Sequence, residues 1–588
     1  MKLIARIGIF ISAISILMPA AANEHRTVNI KLAYTTDVHG NFFPFNFITL
    51  SPWSGSMARV ATAVDSLRHS FGKENVILLD NGDILQGQPT VYYYNYIDTV
   101  SPHIVPEIYS FMGYDAATIG NHDVETGHSV YDRWIAQSSI PVLGANVIDT
   151  ATGQPYLKPY TIIERNGVKI AILGLLTPAI PAWLPETIWS GLEFEDMETA
   201  ARHWIPIIKE RDNPHVIVGM FHSGHDASRM TGIYKENASK AVAQNVDGFD
   251  IILMGHDHQR YHDVVTSPDG HKVTVINPAN NANALGLADL CITFDEHGNM
   301  TGKDVSATLV DISNIEPSEE YLETFSTQSE KILEFVSRPI GYATDTLSTR
   351  DAFFGPSSFM TLLHKLQLQI SGADISFAAP LSFDAVIAKG DVKVSDMFTL
   401  YKYENMLYVM ELTGQEIKDY LEESYSLWTR QITDTNKHLI DFAAENPDKK
   451  NNRLRNPSYN FDSAAGIRYT VDVTKPKGEK INIISMESGE PFDLHKTYRV
   501  AVNSYRGNGG GDHLTKGAGI NADELKKRIV SATDKDLRYY LLKEIERNGT
   551  IRPEVADNWK FIPATIANQA ITKDRELLFS PDSSKEQK

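Results

Sequence analysis

The sequence predicts an α/β fold followed by a second folded unit, on three observations. From about residue 28 to 295, short apolar runs alternate with amphipathic stretches, the rhythm of buried strands joined by helical or irregular crossovers. Near residue 315 that rhythm gives way to a polar, glutamate-rich stretch. The composition is that of a globular chain: 588 residues, 42% hydrophobic, 22% charged and one cysteine. These values exclude a disordered chain, a collagen-like chain and a disulfide scaffold. At about 150 residues per domain the length suggests roughly four domains, and two large ones fit equally well.

The elements follow in chain order. Lys2 and Arg6 precede the apolar run Ile7 to Met18, and Pro19-Ala20-Ala21-Ala22 supplies small residues for cleavage. Residues 1–22 therefore read as a cleavable signal peptide, and the protein as periplasmic or secreted without membrane insertion. The run is too short to span a bilayer. Strands are predicted at Val28–Tyr34, Val76–Leu79, Ala116–Ile119, Ile170–Leu176, Val216–Phe221, Ile251–Met254 and Val273–Ile276, inside a domain of residues 23–315. The lone Cys291 lies in a strand-like run and reads as a buried, inert thiol.

Glu316–Val336 has helical apolar spacing at Tyr321, Leu322, Phe325, Ile332 and Phe335, and is expected to be a surface helix leading into a linker over 316–356. A second domain over 357–555 opens with the periodic run Phe359–Ile370 and contains strand-like Met406–Leu412, Gly466–Val473 and Tyr498–Val502. The polar insertion Thr433–Pro457 reads as an exposed loop and 556–588 as a C-terminal tail, disordered from Asp582.

The chemistry lies where the strands end. Asp37 and His39, Asp83, Asn121 and His122, His222, and His256 and His258 each follow a predicted strand closely. Ligands of open α/β sheets bind at the carboxyl ends of strands, so residues distant in sequence converge there. Mixed Asp, His and Asn donors suit a borderline or hard divalent ion such as Zn, Mn, Fe, Co or Ni, and not a thiolate site. A single His or Asp at a strand end is ordinarily a core or turn residue, and the weight rests on the whole set.

At these motifs, Asp37-Val38-His39-Gly40, Gly82-Asp83, Gly120-Asn121-His122-Asp123 and Gly255-His256-Asp257-His258, the chain resembles the calcineurin-like metallophosphoesterases, specifically the secreted two-domain 5′-nucleotidase and cyclic-nucleotide phosphodiesterase family. The resemblance implies a four-layer β-sandwich flanked by helices and a C-terminal α+β substrate-binding domain. It implies two divalent metal ions, one at Asp37, His39, Asp83 and His258, the other at Asp83, Asn121, His222 and His256. Asp83 would bridge them, and a water shared between the ions would attack phosphorus. His122 matches the catalytic histidine, and Glu125 the position of its acidic orienting partner, which is often Asp.

The family's second domain sandwiches a base between two aromatics, for which Tyr403 and Tyr505 are the candidates and Phe461 the reserve. The glycine-rich Asn503–Asp512 segment and Ala378-Ala379-Pro380-Leu381 resemble the 2′,3′-cyclic-nucleotide 2′-phosphodiesterase/3′-nucleotidase branch. In the 5′-nucleotidases, Asn-Gly-Gly-x-Arg stands at the latter place. The expected substrate is a small nucleotide, handled by a monomer. A 5′-nucleotidase or broad nucleotide phosphatase is the alternative, and a non-catalytic nucleotide-binding or surface-interaction protein the alternative of another class. A net charge of -19 argues against a nucleic-acid duplex as partner, because binding a phosphate backbone needs a positive surface.

Overall fold

A computed structural model describes residues 26–228, 230–433, 437–443 and 454–579. The signal peptide expected at 1–22, the Glu445–Asn452 part of the insertion and the tail from Asp582 lie outside these residues.

Two six-stranded sheets build the first unit. In the first the order is Met300–Asp311, Ala284–Phe294, Arg26–Thr35, Val76–Asp80, Ala116–Thr118, Val142–Leu143. Its last four strands run parallel. In the second the order is Arg260–Thr266, Lys272–Pro278, Ile251–Met254, Val216–His222, Val168–Leu176, Tyr160–Arg165, with four parallel strands in the middle. Each strand predicted in this half of the sequence is present.

Alternation decides the layering. Val28, Ile30, Leu32 and Tyr34 on one face of the first strand meet Ile170, Ile172, Val218, Met220 and Leu253 of the other sheet, while Ala33 points the opposite way. The outer face of the first sheet is covered by helices Met57–Phe71, Ile104–Met112 and His128–Gln137, through residues such as Val60, Val64, Ile108, Tyr131 and Trp134. Helices Met197–Asp212 and Ser239–Asn245 cover the second. Helix, sheet, sheet and helix give the four expected layers. Each fully buried aliphatic or Phe side chain contributes about 1.5–3 kcal/mol, so the sandwich core can support a strained rim. Cys291 is half-buried, contrary to expectation: it alternates with buried Leu290 and Ile292 and so faces away from the inter-sheet core.

The stretch expected as a surface helix and linker is structured throughout. It forms two helices, Glu319–Thr324 and Ser326–Ser337, whose Tyr321, Ile332 and Val336, with Phe325 at the junction between them, enter the core of the first unit. Pro339–Ala343 then pairs with Gly390–Lys393 and Thr550–Ile551, so the second unit's pairing begins well before residue 357.

That unit centres on a five-stranded sheet in the order Ser463–Ala465, Ile375–Ala378, Thr497–Asn503, Met406–Thr413, Ile529–Asp536. The predicted helix is Ser358–Ser371, begun by the Ser357 side chain accepting from Met360 N and ended by Gly372 in the left-handed region. Two expectations fail here. Within the supposed exposed insertion, Leu439, Ile440 and Phe442 are fully buried, with Leu439 N and Ile440 N donating to the buried Asp574. Residues 556–579 are no tail: Trp559–Ile562 pairs in parallel with Ile467–Asp472, and helix Ala564–Phe579 buries Ala567, Ala570 and Leu578. Among the described residues no helix is long and apolar enough to cross a membrane.

Candidate metal centre

Five strand ends, drawn from both sheets, meet at one edge of the sandwich. Asp37 and His39 follow Arg26–Thr35, Asp83 follows Val76–Asp80, Asn121 and His122 follow Ala116–Thr118, His222 closes its strand, and His256 and His258 follow Ile251–Met254. Asp37, His39, Asp83, His256 and His258 all have positive φ, from 50° to 74°. Left-handed backbone at a non-glycine residue is strained by about 1–2 kcal/mol, and such strain persists where packing imposes it. The turns are also tightly nested. A Cβ at Gly120 would collide with Asp83 Oδ1, and one at Gly82 would come within 2.7 Å of Gly120 N.

The donors fall into two groups, Asp37 with His39 and His258, and Asp83 with His222 and His256; within each, the ligand atoms lie within 4.8 Å of one another. His39 Nε2 is 3.0 Å from His258 Nε2, which is 3.2 Å from Asp37 Oδ1. In the other group His222 Nε2 lies 3.1 Å from Asp83 Oδ2 and 3.2 Å from Asn121 Oδ1, and Asn121 Oδ1 is 2.7 Å from His256 Nδ1. His222 Nε2 also comes within 3.9 Å of Asp37 Oδ1, joining the groups. The cluster is buried at Asp37, Asp83 and His222 and opens at His122, His256 and His258.

These residues fit divalent cations. The outward nitrogens of three imidazoles already have acceptors: His39 Nδ1 faces Gln86 O at 3.0 Å, His222 Nδ1 faces Asn81 O at 2.7 Å, and His256 Nε2 faces Glu236 Oε1 at 3.1 Å. Their inward nitrogens converge on carboxylate, amide and imidazole neighbours, where a proton or a cation must stand between them. Asp83 Oδ1 accepts from His122 N at 2.8 Å, while the buried Oδ2 faces His222 Nε2. Donor atoms gathered around two fully buried carboxylates, Asp37 and Asp83, need positive charge among them.

The electrostatics agree. Burial pushes Asp37 up, but His222 and His258 outweigh it and hold the carboxyl at about 2; Asp83 lies well below the carboxylate range for similar reasons. Burial also opposes charge on His222, yet Asp83 and Asp37 raise it to about 10. His39, buried and beside His258, falls to about 3 and is neutral. His122 overcomes its burial through Asp83 and Glu125, reaching about 9, with its Nδ1 2.5 Å from Glu125 Oε2.

Two participants escaped the sequence reading. Asp123 is fully buried and accepts from the backbone N–H groups of Asp83, Ile84, Leu85 and Gly120 at 2.7–2.9 Å, fixing the Asp83 turn. Its place as an acid in the first turn of helix Asn121–Glu125 was the available signal. Glu236, which holds His256, comes from a hairpin segment with no sequence mark at all. Of the residues set aside, His225 pairs with Asp257 at 2.7 Å beside the cluster.

The aromatic candidates separate. Tyr403 and Tyr505 are half-buried, and each stands nearly perpendicular to Tyr459, at 6.2 and 6.3 Å between centroids. Phe461 is not available to a base: it is fully buried and stacked on Trp428 at 5.5 Å. Tyr459, two residues earlier, stands in contact with both Tyr403 and Tyr505 instead. The two units touch here, since Asn508 Nδ2 donates to Trp183 O at 2.8 Å and the Trp183 ring lies 5.5 Å from His256.

Fold and site together define a hydrolase acting on phosphoester bonds. Residues 30–260 match the calcineurin-like phosphoesterases and residues 339–516 the 5′-nucleotidase C-terminal domain, and the chain belongs to this two-domain metallophosphoesterase family. It is 27% identical to the 2′,3′-cyclic-nucleotide 2′-phosphodiesterase/3′-nucleotidase of Haemophilus influenzae, over 94% of this chain and 91% of that one. It is also 27% identical, over 95% of its length, to the trifunctional nucleotide phosphoesterase protein of Bacillus subtilis, of which it spans 40%. A Staphylococcus aureus protein assigned as a 5′-nucleotidase shares the fold, with a TM-score of 0.73 at 22% identity over 91% of this chain and 99% of that one.

Proposed function

We propose that the protein is a dimetal 2′,3′-cyclic-nucleotide 2′-phosphodiesterase with 3′-nucleotidase activity, exported by its leader segment. The observation that carries the metal-dependent reading is the pair of donor groups beside a protonated His122. Asp37, His39, Asp83 and His258 would hold one ion, and Asp83, Asn121, His222 and His256 the other, with Asp83 common to both. Zn, Mn, Fe, Co and Ni all suit this donor set. Two such ions supply Lewis acidity toward water and the phosphoryl oxygens.

The chain's own residues do the rest. Glu125 accepts a hydrogen bond from Nδ1–H of His122 and directs Nε2 away from itself, where it can donate to a phosphoryl or leaving oxygen. Asp123 and the nested glycines keep the Asp83 turn in register. Tyr403 and Tyr505 would stack on the base, a contact worth about 1–3 kcal/mol and indifferent to base identity. Preference for the cyclic and 3′ esters is supported by the Haemophilus relative, matched along nearly the whole length of both chains, and by the Ala378-Ala379-Pro380-Leu381 segment.

One preparation assayed with 2′,3′-cyclic AMP, 3′-AMP and 5′-AMP, before and after chelation, tests the reading. Hydrolysis of the first two is expected, lost on chelation and restored by divalent metal. Dominant 5′-AMP turnover would refute the ester preference, and full activity in the stripped protein would refute the metal role.

A further inference from the structure

The second unit holds a charged pair that the phosphoester chemistry does not use. Arg506 and Asp462 are 2% and 3% exposed, with Arg506 Nε 2.8 Å from Asp462 Oδ2. A guanidinium survives burial only where its charge and its donors are met. Here its terminal nitrogens bind the chain itself: Nη2 donates to Tyr459 O at 2.8 Å, and Nη1 to Gly510 O at 2.5 Å and Asn460 Oδ1 at 3.3 Å. Asp462 accepts in turn from Tyr420 Oη at 2.8 Å, on helix Gly414–Trp428. One planar fork therefore ties together two segments distant in sequence, and each presents a tyrosine. Tyr459 lies in the turn Ser458–Asn460, and Tyr505 in Ser504–Gly507.

The glycine run is explained by the same arrangement. A Cβ on Gly510 would enter the Tyr505 ring, and one on Gly511, at φ 72°, would collide with Arg506 Nη1. Backbone without side chains lets both residues lie flat against the loop. The run is shaped to its own Tyr505 and Arg506.

We infer that the buried Arg506–Asp462 pair is the positioning element of the nucleoside slot: it fixes Tyr505 against Tyr459, whose ring also meets Tyr403, and so holds Tyr403 and Tyr505 in place for base binding without touching the phosphoester. This rests on the proposed aromatic slot. Lysine cannot replace the arginine, because a single ammonium does not reach both carbonyls with a fixed fork.

Steady-state kinetics of the metal-loaded protein on two substrates test this: adenosine 2′,3′-cyclic phosphate, and methyl riboside 2′,3′-cyclic phosphate, which carries the same ester and no base. The variants are Arg506→Lys, the double exchange Arg506→Met with Asp462→Leu, which leaves no uncompensated buried charge, and Asn460→Ala, which removes one acceptor and no charge. The adenosine KM should rise roughly 5- to 150-fold in the first two, the range that one base stack carries, and less in the third. Values of kcat and the kinetics of the base-free substrate should hold. An unchanged adenosine KM, or parallel loss on both substrates, overturns the inference. Tyr403→Ala and Tyr505→Ala separate the two levels: if they leave the adenosine KM unchanged, the slot itself fails and the inference with it; if they raise it while the Arg506 and Asn460 variants do not, the slot stands and the positioning role falls.

Discussion

Protons and cations compete for the same lone pairs at the ligand cluster. With no ion among them, Asp83 and Asp37 keep His222 protonated up to about pH 10, whereas a metal requires the neutral imidazole. Between pH 6 and 8, binding must expel that proton, so metal affinity should rise about tenfold per pH unit. Competition against a chromophoric chelator measures this, and a pH-independent affinity would contradict it. His122 differs, being charged through Asp83 and Glu125 yet outside both donor groups. His122→Ala should lower kcat by roughly 10²- to 10⁴-fold, the usual contribution of a positioned proton donor, with metal content intact. Elemental analysis beside the kinetics checks it, and loss of metal would place His122 among the ligands.

Strand ends, rather than strands, carry the function at the level of elements. The parallel strands are apolar and interchangeable in kind, while the turns that follow them are strained, nested and polar. Asp123 organises this rim by taking four backbone N–H groups. Burial and the neighbouring Asp83 raise its carboxyl to about 6. Asp123→Asn places a donor amide where only acceptor oxygens fit, so two backbone N–H groups lose their partner; each unsatisfied buried group costs about 1–3 kcal/mol. The expected result is a lower Tm together with fewer than two bound ions per chain at a metal concentration that saturates the parent. Unchanged stoichiometry would show that the Asp83 turn holds its shape without Asp123.

The whole molecule is two cores joined through aromatic packing. Tyr92 of the first unit lies in a cluster with Phe398, Met397 and Leu400 of the second, its ring 5.2 Å from Phe398 and 5.1 Å from the Arg538 guanidinium. Tyr96 Oη donates to Glu404 at 3.1 Å nearby. Interfaces of this kind couple domains without fusing them. Tyr92→Ala, which removes a nearly buried aromatic at about 3–5 kcal/mol, should broaden or split the calorimetric unfolding transition and leave metal content unchanged. A single sharp transition at lower temperature would instead indicate one cooperative unit.

The sequence by itself determined the strands of the first unit and the rim at their ends, because both are written in short-range patterns: apolar runs of strand length, and Asp, His, Asn and Gly within a few residues of where each run stops; the sandwich layering came from the family resemblance those motifs carry. Tyr403 and Tyr505 were marked by the family resemblance, beside a strand and a glycine run, and the structure leaves both half-buried. Whatever depends on a distant partner was decided by the tertiary structure. Phe461 is core and Tyr459 is not because Trp428, more than thirty residues away, stacks on the former. Residues 438–440 and Phe442 are buried, despite their polar surroundings, because Asp574 offers the segment acceptors; the last helix folds back because Trp559–Ile562 finds a strand to pair with. Glu236 and Arg506 belong to the same class. A carboxylate or guanidinium carries no local mark of what it will hold, since its burial is repaid only by atoms that the folded chain brings to it.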